Sequence, residues 1–569
     1  MIIYHLSIKN FRGIKELDWH LGNRVLCLVG PGNATKSTIL EAISLVTTSK
    51  ATASFNDNDF FKGETSCPLK IEATIGELPE NLLDEVSKFG LYLKGYDEVF
   101  ECIVDSPLNG ISPALTIRLE VGDDLEPIWS VVKDEVGPPR RISARDRGLL
   151  SVHLLGENPE RSLTWSRGSA LSRLTEDDGS SSKLISAVSR QVNEAVRNAP
   201  NEELHEAARQ VRQAALPFGV DFRNLSPGFD GNNFSFSASS LGLQENAVPL
   251  RLWGNGTKRL ASMAIQQHGN GADSVVLIDE LEIGLEPYRI RHLVKCLSMP
   301  NGTKRSRGQV IFTTHSPSSI IPLDANSLRF VSSKNGITSV LKVKPADEPQ
   351  LQGYIRSHSH AFLAKRLVAC EGATEVGICR GLSSHWASLH EDKEPAHVGC
   401  EFIDGGGNSK VTVLSMALNN LGYAVAVLAD SDKPISPPAN TLEPLGIKII
   451  QWSGQVATEL RLALDVPPAT LQKLLDFAIE ERSPDTVFAH VKLYGGIDLL
   501  TSNLDDAALV WSDAEIRQAI GNAAQKGEWF KTVGRGERVG EIIADALIEI
   551  PETQLALQLS SLTDWIYSE

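Results

Sequence analysis

The stretch VLCLVGPGNATKST at residues 25–38 decides the fold of the first part of this chain. An apolar strand runs into a glycine-containing loop, and the segment from Ser37 onward has the apolar spacing of a helix. A P-loop needs this order, because backbone N–H groups and a helix N-terminus together bind phosphate. In such a loop Lys36 would pair with the β- and γ-phosphates and Ser37 would bind Mg²⁺.

Thr35 departs from the P-loop pattern, which places glycine directly before the lysine. A β-branched residue is unfavourable if the loop requires a positive φ at that point. The motif alone therefore leaves two interpretations, a nucleotide site or an ordinary glycine-rich turn between a strand and a helix. The candidate nucleotide contacts in the loop are Gly30, Asn33, Thr35, Lys36, Ser37 and Thr38.

Two further strand ends favour the nucleotide site. The apolar stretch VVLI is followed by Asp279 and Glu280, which is a Walker B arrangement. Asp279 would hold Mg²⁺, and Glu280 would polarise the water that attacks the nucleotide. A second apolar strand, VIFTT, is followed by His315. Three such elements in this order, each at the end of an apolar strand, are hard to explain as coincidence.

A second acidic pattern begins after a hydrophilic stretch around 344–358, which we interpret as a linker. The strand LVAC is followed by Glu371, with Glu375 on the first turn of a helix, and the strand VAVLA by Asp430 and Asp432. Residues at the ends of parallel strands converge in one crevice. Clustered carboxylates repel one another, divalent cations remove that repulsion, and oxygen ligands favour Mg²⁺ or Mn²⁺. The alternative is a set of surface acids on a Rossmann-like fold.

Length and composition leave the substrate open. A chain of 569 residues predicts two or more domains. The net charge of -16 argues superficially against a nucleic-acid partner, but a nuclease that assembles metal ions must concentrate carboxylates. Seven scattered cysteines without CxxC spacing fit reduced thiols in a cytosol. With no long apolar run and no signal peptide, we expect a cytoplasmic protein that does not contact membrane.

The sequence resembles the ATPase heads of the SMC, RecF and OLD group. The opening LSIKNFRGIKELDW is similar to their first strand, and WGNGTKR at 253–259 occupies the place of the ABC signature, without the usual serine. The resemblance implies ATP with Mg²⁺ at the P-loop and contact between His315 and the γ-phosphate. It also implies a homodimer or higher oligomer.

The second acidic pattern, E-G-x-x-E with D-x-D, resembles the Toprim domain of topoisomerases, primases and OLD nucleases. The OLD resemblance implies a DNA endonuclease that hydrolyses phosphodiesters with two divalent ions, Mg²⁺ or Mn²⁺. It adds Asp404 and Glu459 as ligands and Lys531 as a positively charged residue that stabilises the transition state. The implied metal ligands are Glu371, Glu375, Asp404, Asp430, Asp432 and Glu459, with Ser37 and Asp279 at the ATP-bound magnesium, and the implied catalytic set is Glu371, Glu375, Asp430, Asp432, Lys531 and Glu280.

The expected fold class is α/β, with an ABC-type (SMC/RecF-like) P-loop ATPase head followed by a Toprim α/β nuclease domain. Residues 70–135 read as a β-rich lobe. The expected boundaries are 1–154 and 216–345 for the two parts of the ATPase, 155–215 for a helical dimerisation insertion, and 346–569 for the nuclease domain.

The two-domain layout is similar to that of the nuclease of the Gabija system, which implies a role in antiphage defence. DNA is then the substrate, and a helicase-like protein or a retron is a possible partner type. A different class of function stays open, namely a RecF-like or SMC-like repair ATPase whose Toprim fold binds without catalysis. A third interpretation is a P-loop that binds ATP but hydrolyses it slowly.

Overall fold

The computed structural model describes most of the chain. Everything below refers to the described residues, which are 1–79, 82, 89–107, 111–133, 136–150, 152–155, 159–165, 169, 171, 187–188, 190–191, 194–195, 202–215, 242–270, 274–298, 308–499 and 511–568. About half of the expected helical insertion at 155–215 lies outside them.

The first part of the chain forms a large mixed β-sheet and a separate short hairpin. Long apolar runs in its central strands are typical of a sheet that is covered on both faces. The strands are β1 (Ile2–Phe11), β2 (Ile14–His20), β3 (Val25–Val29), β4 (Leu69–Gly76), β5 (Lys94–Asp97), β6 (Cys102–Val104), β7 (Ser112–Val121), β8 (Pro127–Val131), β9 (Arg140–Arg141), β10 (Val152–Leu155), β11 (Gln244–Glu245), β12 (Val248–Pro249), β13 (Val275–Ile278), β14 (Gln309–Thr313), β15 (Leu328–Lys334) and β16 (Ile337–Lys342).

The strand order of the large sheet places the three nucleotide motifs side by side. The path runs β10-β13-β14-β3-β15-β16-β2-β1-β4-β7-β5-β6, and β8 and β9 continue from β7. β13, β14 and β3 pair in parallel, so their carboxyl ends meet at one edge of the sheet. Antiparallel pairs such as β1–β4 and β4–β7 form the β-rich lobe that the sequence predicts.

Helices and 3₁₀ turns connect these strands. The first helix follows the P-loop and buries Ile39, Leu40, Ile43 and Val46, as its apolar spacing predicts. The helices are α1 (Lys36–Thr47), α2 (Ala144–Arg147), α3 (Pro159–Ser162), α4 (Glu202–Ala215), α5 (Asn255–Asn270), α6 (Pro287–Ser298), α7 (Pro317–Ile320) and α8 (Glu348–Ser357); the 3₁₀ turns are Asp57–Asp59, Phe61–Gly63, Gly90–Tyr92, Leu250–Leu252 and Ala325–Ser327.

The second part of the chain is a parallel α/β unit. Its sheet has the order β18-β17-β19-β20, with all neighbours parallel. Its strands are β17 (Arg366–Cys370), β18 (Cys400–Asp404), β19 (Ala424–Ala429) and β20 (Lys448–Gln451). Its helices are α9 (Ala373–Gly381), α10 (Ser383–Leu389), α11 (Asn408–Asn420), α12 (Ala439–Leu442), α13 (Thr458–Asp465), α14 (Pro468–Arg482), α15 (Pro484–His490), α16 (Ala514–Lys526), α17 (Val533–Ala544) and α18 (Gln554–Tyr567).

The two α/β units share a continuous apolar core. The ring of Phe330 in β15 lies 4.1 Å from that of Tyr423, which precedes β19. The Tyr423 hydroxyl donates to the carbonyl O of Phe362 at 2.8 Å. The prediction of a linker at 344–358 is wrong, because α8 forms there and buries Leu351 and Ile355 in this core.

Two expectations from the composition, those about the cysteines and about membrane-spanning segments, can be compared with the structure. All seven cysteines lie in described residues, and each of them is free. Among the helices that the structure describes, none has the length and apolar character to cross a membrane.

Candidate functional site

The loop after β3 has a positive φ at both ends. Gly30 has φ 140°, and a Cβ there would lie 2.3 Å from the carbonyl O of Val331. Thr35 lies directly before α1 with φ 63° and ψ 18°. Its hydroxyl donates to the carbonyl O of Ala34 at 2.6 Å. The loop thus requires the left-handed conformation that is unfavourable for threonine, by about 1–2 kcal/mol.

Lys36 opens α1, and its side chain is buried. Its Nζ donates to the carbonyl oxygens of Gly30 at 2.9 Å and Pro31 at 2.8 Å. Burial lowers the pKa of Lys36, and the charges of Asp279 and Glu280 oppose that change. The ammonium therefore lies inside the loop, bound to carbonyl groups that a phosphate would replace.

The predicted magnesium ligands of the nucleotide site meet. The hydroxyl of Ser37 donates to Oδ1 of Asp279 at 2.9 Å, and the hydroxyl of Thr313 donates to the same atom at 2.6 Å. Ser37 comes from α1, Asp279 from the end of β13 and Thr313 from β14. Asn33 is exposed in the loop, and Thr38 is half-buried in α1.

Glu280 is held beside Asp279 by backbone contacts. It has φ 45°, and its N–H donates to the Thr313 hydroxyl at 2.8 Å. The guanidinium of Arg259 in α5 donates to the carbonyl oxygens of Asp279 at 2.7 Å and Glu280 at 2.9 Å. Arg259 belongs to the stretch that resembles an ABC signature, so that stretch supports the acidic loop of its own chain.

His315 is exposed, two residues after the end of β14. Its N–H donates to Oε1 of Glu282 at 2.5 Å, and the Thr314 hydroxyl donates to Oε2 of Glu282 at 2.6 Å. These bonds fix the segment that carries His315 against the loop after β13. The three predicted elements of the nucleotide site therefore share one edge of the sheet.

The second candidate site lies at the carboxyl ends of β17 and β19. These strands are parallel neighbours, so they deliver Glu371 and Asp430 to the same edge. The N–H of Asp430 donates to Oε2 of Glu371 at 3.1 Å, and the N–H of Glu371 donates to the carbonyl O of Leu428 at 2.8 Å. Glu375, buried on the first turn of α9, accepts from the Gly372 N–H at 3.1 Å.

Two more acids complete what we call the carboxylate cluster, namely Glu371, Glu375, Asp430, Asp432 and Glu459. Glu459 lies on the first turn of α13 and is 6% exposed. Asp432 is exposed, and its Oδ2 accepts from the Gln525 amide at 3.0 Å. Both act electrostatically on other members of the cluster.

The carboxylate cluster carries unbalanced negative charge. Burial, and then the charge of Glu459, raise the pKa of Glu375 to about 7. Burial, and then the charge of Glu371, raise the pKa of Asp430 well above its usual range. Burial also raises the pKa of Glu371 and that of Glu459, although the charge of Lys531 opposes the rise at Glu459. Protons or cations must therefore compensate these groups.

Close helix packing places Lys531 beside the cluster. α9 and α17 meet through glycines, since a Cβ on Gly377 would lie 2.3 Å from the carbonyl O of Val533 and one on Gly536 would lie 2.5 Å from that of Thr374. Lys531 lies two residues before α17 and is exposed, with its Nζ 3.4 Å from Oε1 of Glu528. Lys531 thus lies close enough to act electrostatically on Glu459, although the two residues are far apart in the sequence.

Asp404 ends β18, on the opposite side of β17 from β19. Its Oδ1 accepts from the Gly406 N–H at 2.8 Å, and its carbonyl O accepts from the Tyr354 hydroxyl of α8 at 2.5 Å. Asp404 therefore lies at the same sheet edge as Glu371, with its carboxylate engaged in its own turn.

The donor set of the cluster fits a divalent cation. Oδ1 of Asp430 is buried and has no hydrogen-bond partner within the part of the chain that the structure describes. A bound ion would satisfy this oxygen and neutralise the repelling charges. No three members of the cluster, all of which are described, bring ligand atoms within 4.8 Å of one another. Ions at this site would therefore use pairs of carboxylates and keep water ligands, as Mg²⁺ does.

Sequence reasoning missed several residues that organise the sites. Arg259 and Glu282 bind the nucleotide loops, Gln525 orients Asp432, and Tyr354 contacts Asp404. Glu282 carried a signal, because it follows the Walker B acids. The others are long-range contacts of common polar residues, and no local spacing marks them.

Comparison with known proteins gives a family for the first part of the chain. The model of the family described as "AAA domain, putative AbiEii toxin, Type IV TA system" matches residues 25–320, which include the P-loop and both other nucleotide motifs. No curated protein matches the chain.

Several solved structures are similar to part of the chain. One is the SMC head domain from Thermotoga maritima, with 17% identity and a TM-score of 0.30 over 60% of this chain and 100% of that one. Another is the Smc head domain from Pyrococcus furiosus bound to the C-terminal domain of ScpA, with 14% identity and a TM-score of 0.34 over 62% and 99%. A third is the recombination mediator protein RecF, with 12% identity and a TM-score of 0.31 over 60% and 98%.

Proposed function

This chain belongs to the AAA-domain family whose model matches residues 25–320. From this premise we propose that it is an OLD-type DNA endonuclease regulated by ATP. The ATPase would comprise residues 1–154 and 216–345 as an ABC-type head, and the nuclease residues 346–569 as a Toprim domain. Phosphodiester hydrolysis would take place at the carboxylate cluster with Mg²⁺ or Mn²⁺ bound.

The observation that carries this proposal is the burial of several carboxylates at one sheet edge. Glu375 and Glu459 are 7% and 6% exposed, and Glu371 contacts the backbone of Asp430. Their mutual repulsion makes the site costly for the fold unless a cation is bound. Surface acids on a Rossmann-like fold would instead be solvated and would show no such rise in pKa.

The residues of the cluster divide into holding and charge-stabilising roles. Glu371, Asp430 and Asp432 would hold divalent ions, with Glu375 and Glu459 behind them and Asp404 beside them. Divalent ions, when bound, supply an activated water and neutralise the leaving oxygen. Lys531 is exposed next to the cluster and would stabilise the negative charge that develops on the scissile phosphate. Gln525 would keep Asp432 oriented through its amide.

The nucleotide site has its own division of roles. Lys36 would contact the phosphates, Ser37 and Asp279 would hold magnesium, and Glu280 would orient the attacking water. His315, exposed at the end of β14, would contact the γ-phosphate. Thr35 keeps its loop in a strained conformation, which favours slow hydrolysis and a sensing role for the nucleotide.

A continuous path of contacts supports regulation of one site by the other. The segment after His315 leads through α7 to Leu323, whose carbonyl O accepts from the Gln352 amide at 3.1 Å. Gln352 lies in α8, and the Tyr354 hydroxyl of the same helix donates to Asp404. A shift of the His315 segment on nucleotide binding would therefore reach the nuclease side through α8.

The expected partners follow from this assignment. DNA is the substrate, and Lys433 and Lys531 are exposed bases close to the cluster that would bind its phosphates. A homodimer or higher oligomer would form through the heads, with the stretch at 155–215 as the dimerisation element. A role in antiphage defence, with a helicase-like or retron partner, rests on the family resemblance.

Plasmid cleavage with Mg²⁺ or Mn²⁺ tests the proposal. The wild type should nick or cut DNA, Asp430→Asn should be slower by at least about 100-fold, and a chelator should abolish cleavage. Glu541→Gln, at an exposed acid paired with Arg538, is the matched control and should cleave like the wild type.

The alternative function is a RecF-like or SMC-like repair ATPase with a non-catalytic second domain. It predicts ATP-dependent DNA binding with equal, background-level cleavage by the wild type and Asp430→Asn. That result would overturn the nuclease assignment and leave the ATPase assignment intact.

A further inference from the structure

A group of metal-binding side chains of a different kind lies on the β1–β2 pair. His5 in β1 is directly opposite His20 in β2. Asp18 precedes His20 by two residues, so both side chains lie on the same face of the strand. One ligand atom from each of His5, Asp18 and His20 lies within 4.8 Å of the others, and among the described residues this is the only such group of three histidine, cysteine or acidic side chains.

We propose that His5, Asp18 and His20 form a zinc site. Two imidazole nitrogens and one carboxylate oxygen are a ligand set that zinc accepts with tetrahedral geometry. Three protein ligands leave the fourth position to water or to an external ligand. The carboxylate cluster, by contrast, offers oxygen ligands alone and suits Mg²⁺ or Mn²⁺.

The sheet positions these three ligands before any metal binds. β1 lies between β2 and β4, so its backbone is fixed on both sides. Trp19 is buried, which turns its neighbours Asp18 and His20 outward. The rings of His5 and His20 are 4.5 Å apart and tilted by 44°, and the His5 ring contacts the Asp18 carboxylate. Such preorganisation reduces the entropy lost on binding.

The site is apart from both candidate functional sites. His20 ends β2, five residues before β3 begins, whereas the P-loop follows the other end of β3. An ion pair between Lys342 and Glu101 lies close enough to act on His20. Because its ligands come from both strands, zinc would clamp β1 to β2 on the outer face of the sheet. The expected role is structural or regulatory.

Zinc binding to the full-length protein tests this inference. Metal-free protein is titrated with Zn²⁺ against a chromophoric chelator. The wild type should bind one more tight equivalent than His20→Gln, and that equivalent should be at least about tenfold weaker in His5→Gln and Asp18→Asn. His20 is exposed, so His20→Gln should fold normally. Co²⁺ should give a visible absorption band in the wild type that His20→Gln lacks.

His292→Gln is the control variant, because His292 lies 3.5 Å from the thiol of Cys296 and would otherwise compete for zinc. It should retain the additional equivalent and the Co²⁺ band. Equal zinc stoichiometry and affinity in the wild type and His20→Gln would overturn the inference. Loss of the equivalent in His292→Gln alone would overturn it too, and would move the site to α6.

Discussion

The nucleotide site and the carboxylate cluster differ in how their polar groups are satisfied. At the nucleotide site each key group has a partner in the protein, since Lys36 binds two carbonyls and Ser37 binds Asp279. In the carboxylate cluster Oδ1 of Asp430 is buried without a hydrogen-bond partner among the described residues. The neighbouring Glu375 has a raised pKa because burial and a second carboxylate oppose its ionisation.

This difference separates a preformed binding loop from a site that needs a cation. The nucleotide site is strained in its backbone, at Thr35 and Glu280, but its key polar groups are hydrogen-bonded within the protein. The carboxylate cluster is regular in its backbone but unbalanced in charge. Removing divalent metal from the carboxylate cluster should therefore change the stability of the protein more than removing nucleotide from the P-loop.

The largest expected effect is on the nucleotide side. Lys36→Ala removes the only ammonium that the described loop directs inward, so ATP hydrolysis should fall by at least about 100-fold. Phosphate release at saturating ATP measures the loss. Mn²⁺ binding at the carboxylate cluster should be retained in Lys36→Ala, because the metal ligands lie on a separate sheet and nucleotide is expected to regulate cleavage rather than metal binding. Loss of Mn²⁺ binding together with ATP hydrolysis would show that the substitution disturbs the whole fold, and would contradict the assignment of Lys36 to the nucleotide site alone.

A smaller effect should separate the sites by pH. The pKa of Glu375 is raised from 4.5 to about 7, so the folded metal-free protein favours the protonated form more than the unfolded chain does. The stability from this group is therefore present below about pH 4.5 and is lost as pH rises through 7. The melting temperature of the metal-free wild type should be lower at pH 8 than at pH 5.5. This drop should exceed the corresponding drop in Glu375→Gln by a few °C.

Mn²⁺ should restore the stability that is lost at high pH, because bound metal replaces protons on the carboxylates. Differential scanning fluorimetry with and without Mn²⁺ measures both effects. Glu541→Gln, which replaces an exposed acid paired with Arg538, should follow the wild type at each pH. If the Mn²⁺ stabilisation were larger at pH 5.5 than at pH 8, the charge imbalance described here would be incorrect.

The smallest effect concerns backbone strain. Thr35→Gly should raise the free energy of unfolding by up to about 1 kcal/mol, because glycine adopts φ 63° without strain. Thr38→Gly, three residues on inside α1, is the matched comparison and should lower it by about 0.3–0.5 kcal/mol. Urea denaturation measures both. Equal destabilisation by the two substitutions would mean that the left-handed Thr35 is not strained.

The sequence predicts the parts of both sites that lie at strand ends. Apolar runs locate β3, β13 and β14, and the residue after each run is then fixed at one sheet edge by parallel pairing. The same reasoning brings Glu371 and Asp430 together, which the structure confirms.

Features that depend on long-range packing could not be predicted. The helix α8 reads as a polar linker because Leu351 and Ile355 are its main apolar residues, and only the shared core makes them decisive. The position of Lys531 depends on the contact of Gly377 with α17. His5 and His20 meet only once the register of β1 and β2 is known.

Anomalous diffraction from crystals soaked in Mn²⁺ tests the central claim most directly. We expect density at the carboxyl ends of β17 and β19, about 2.1 Å from carboxylate oxygens of Glu371 and Asp430. Density confined to Ser37 and Asp279, with none at Glu371 or Asp430, would contradict the claim that the carboxylate cluster is a metal-dependent nuclease site.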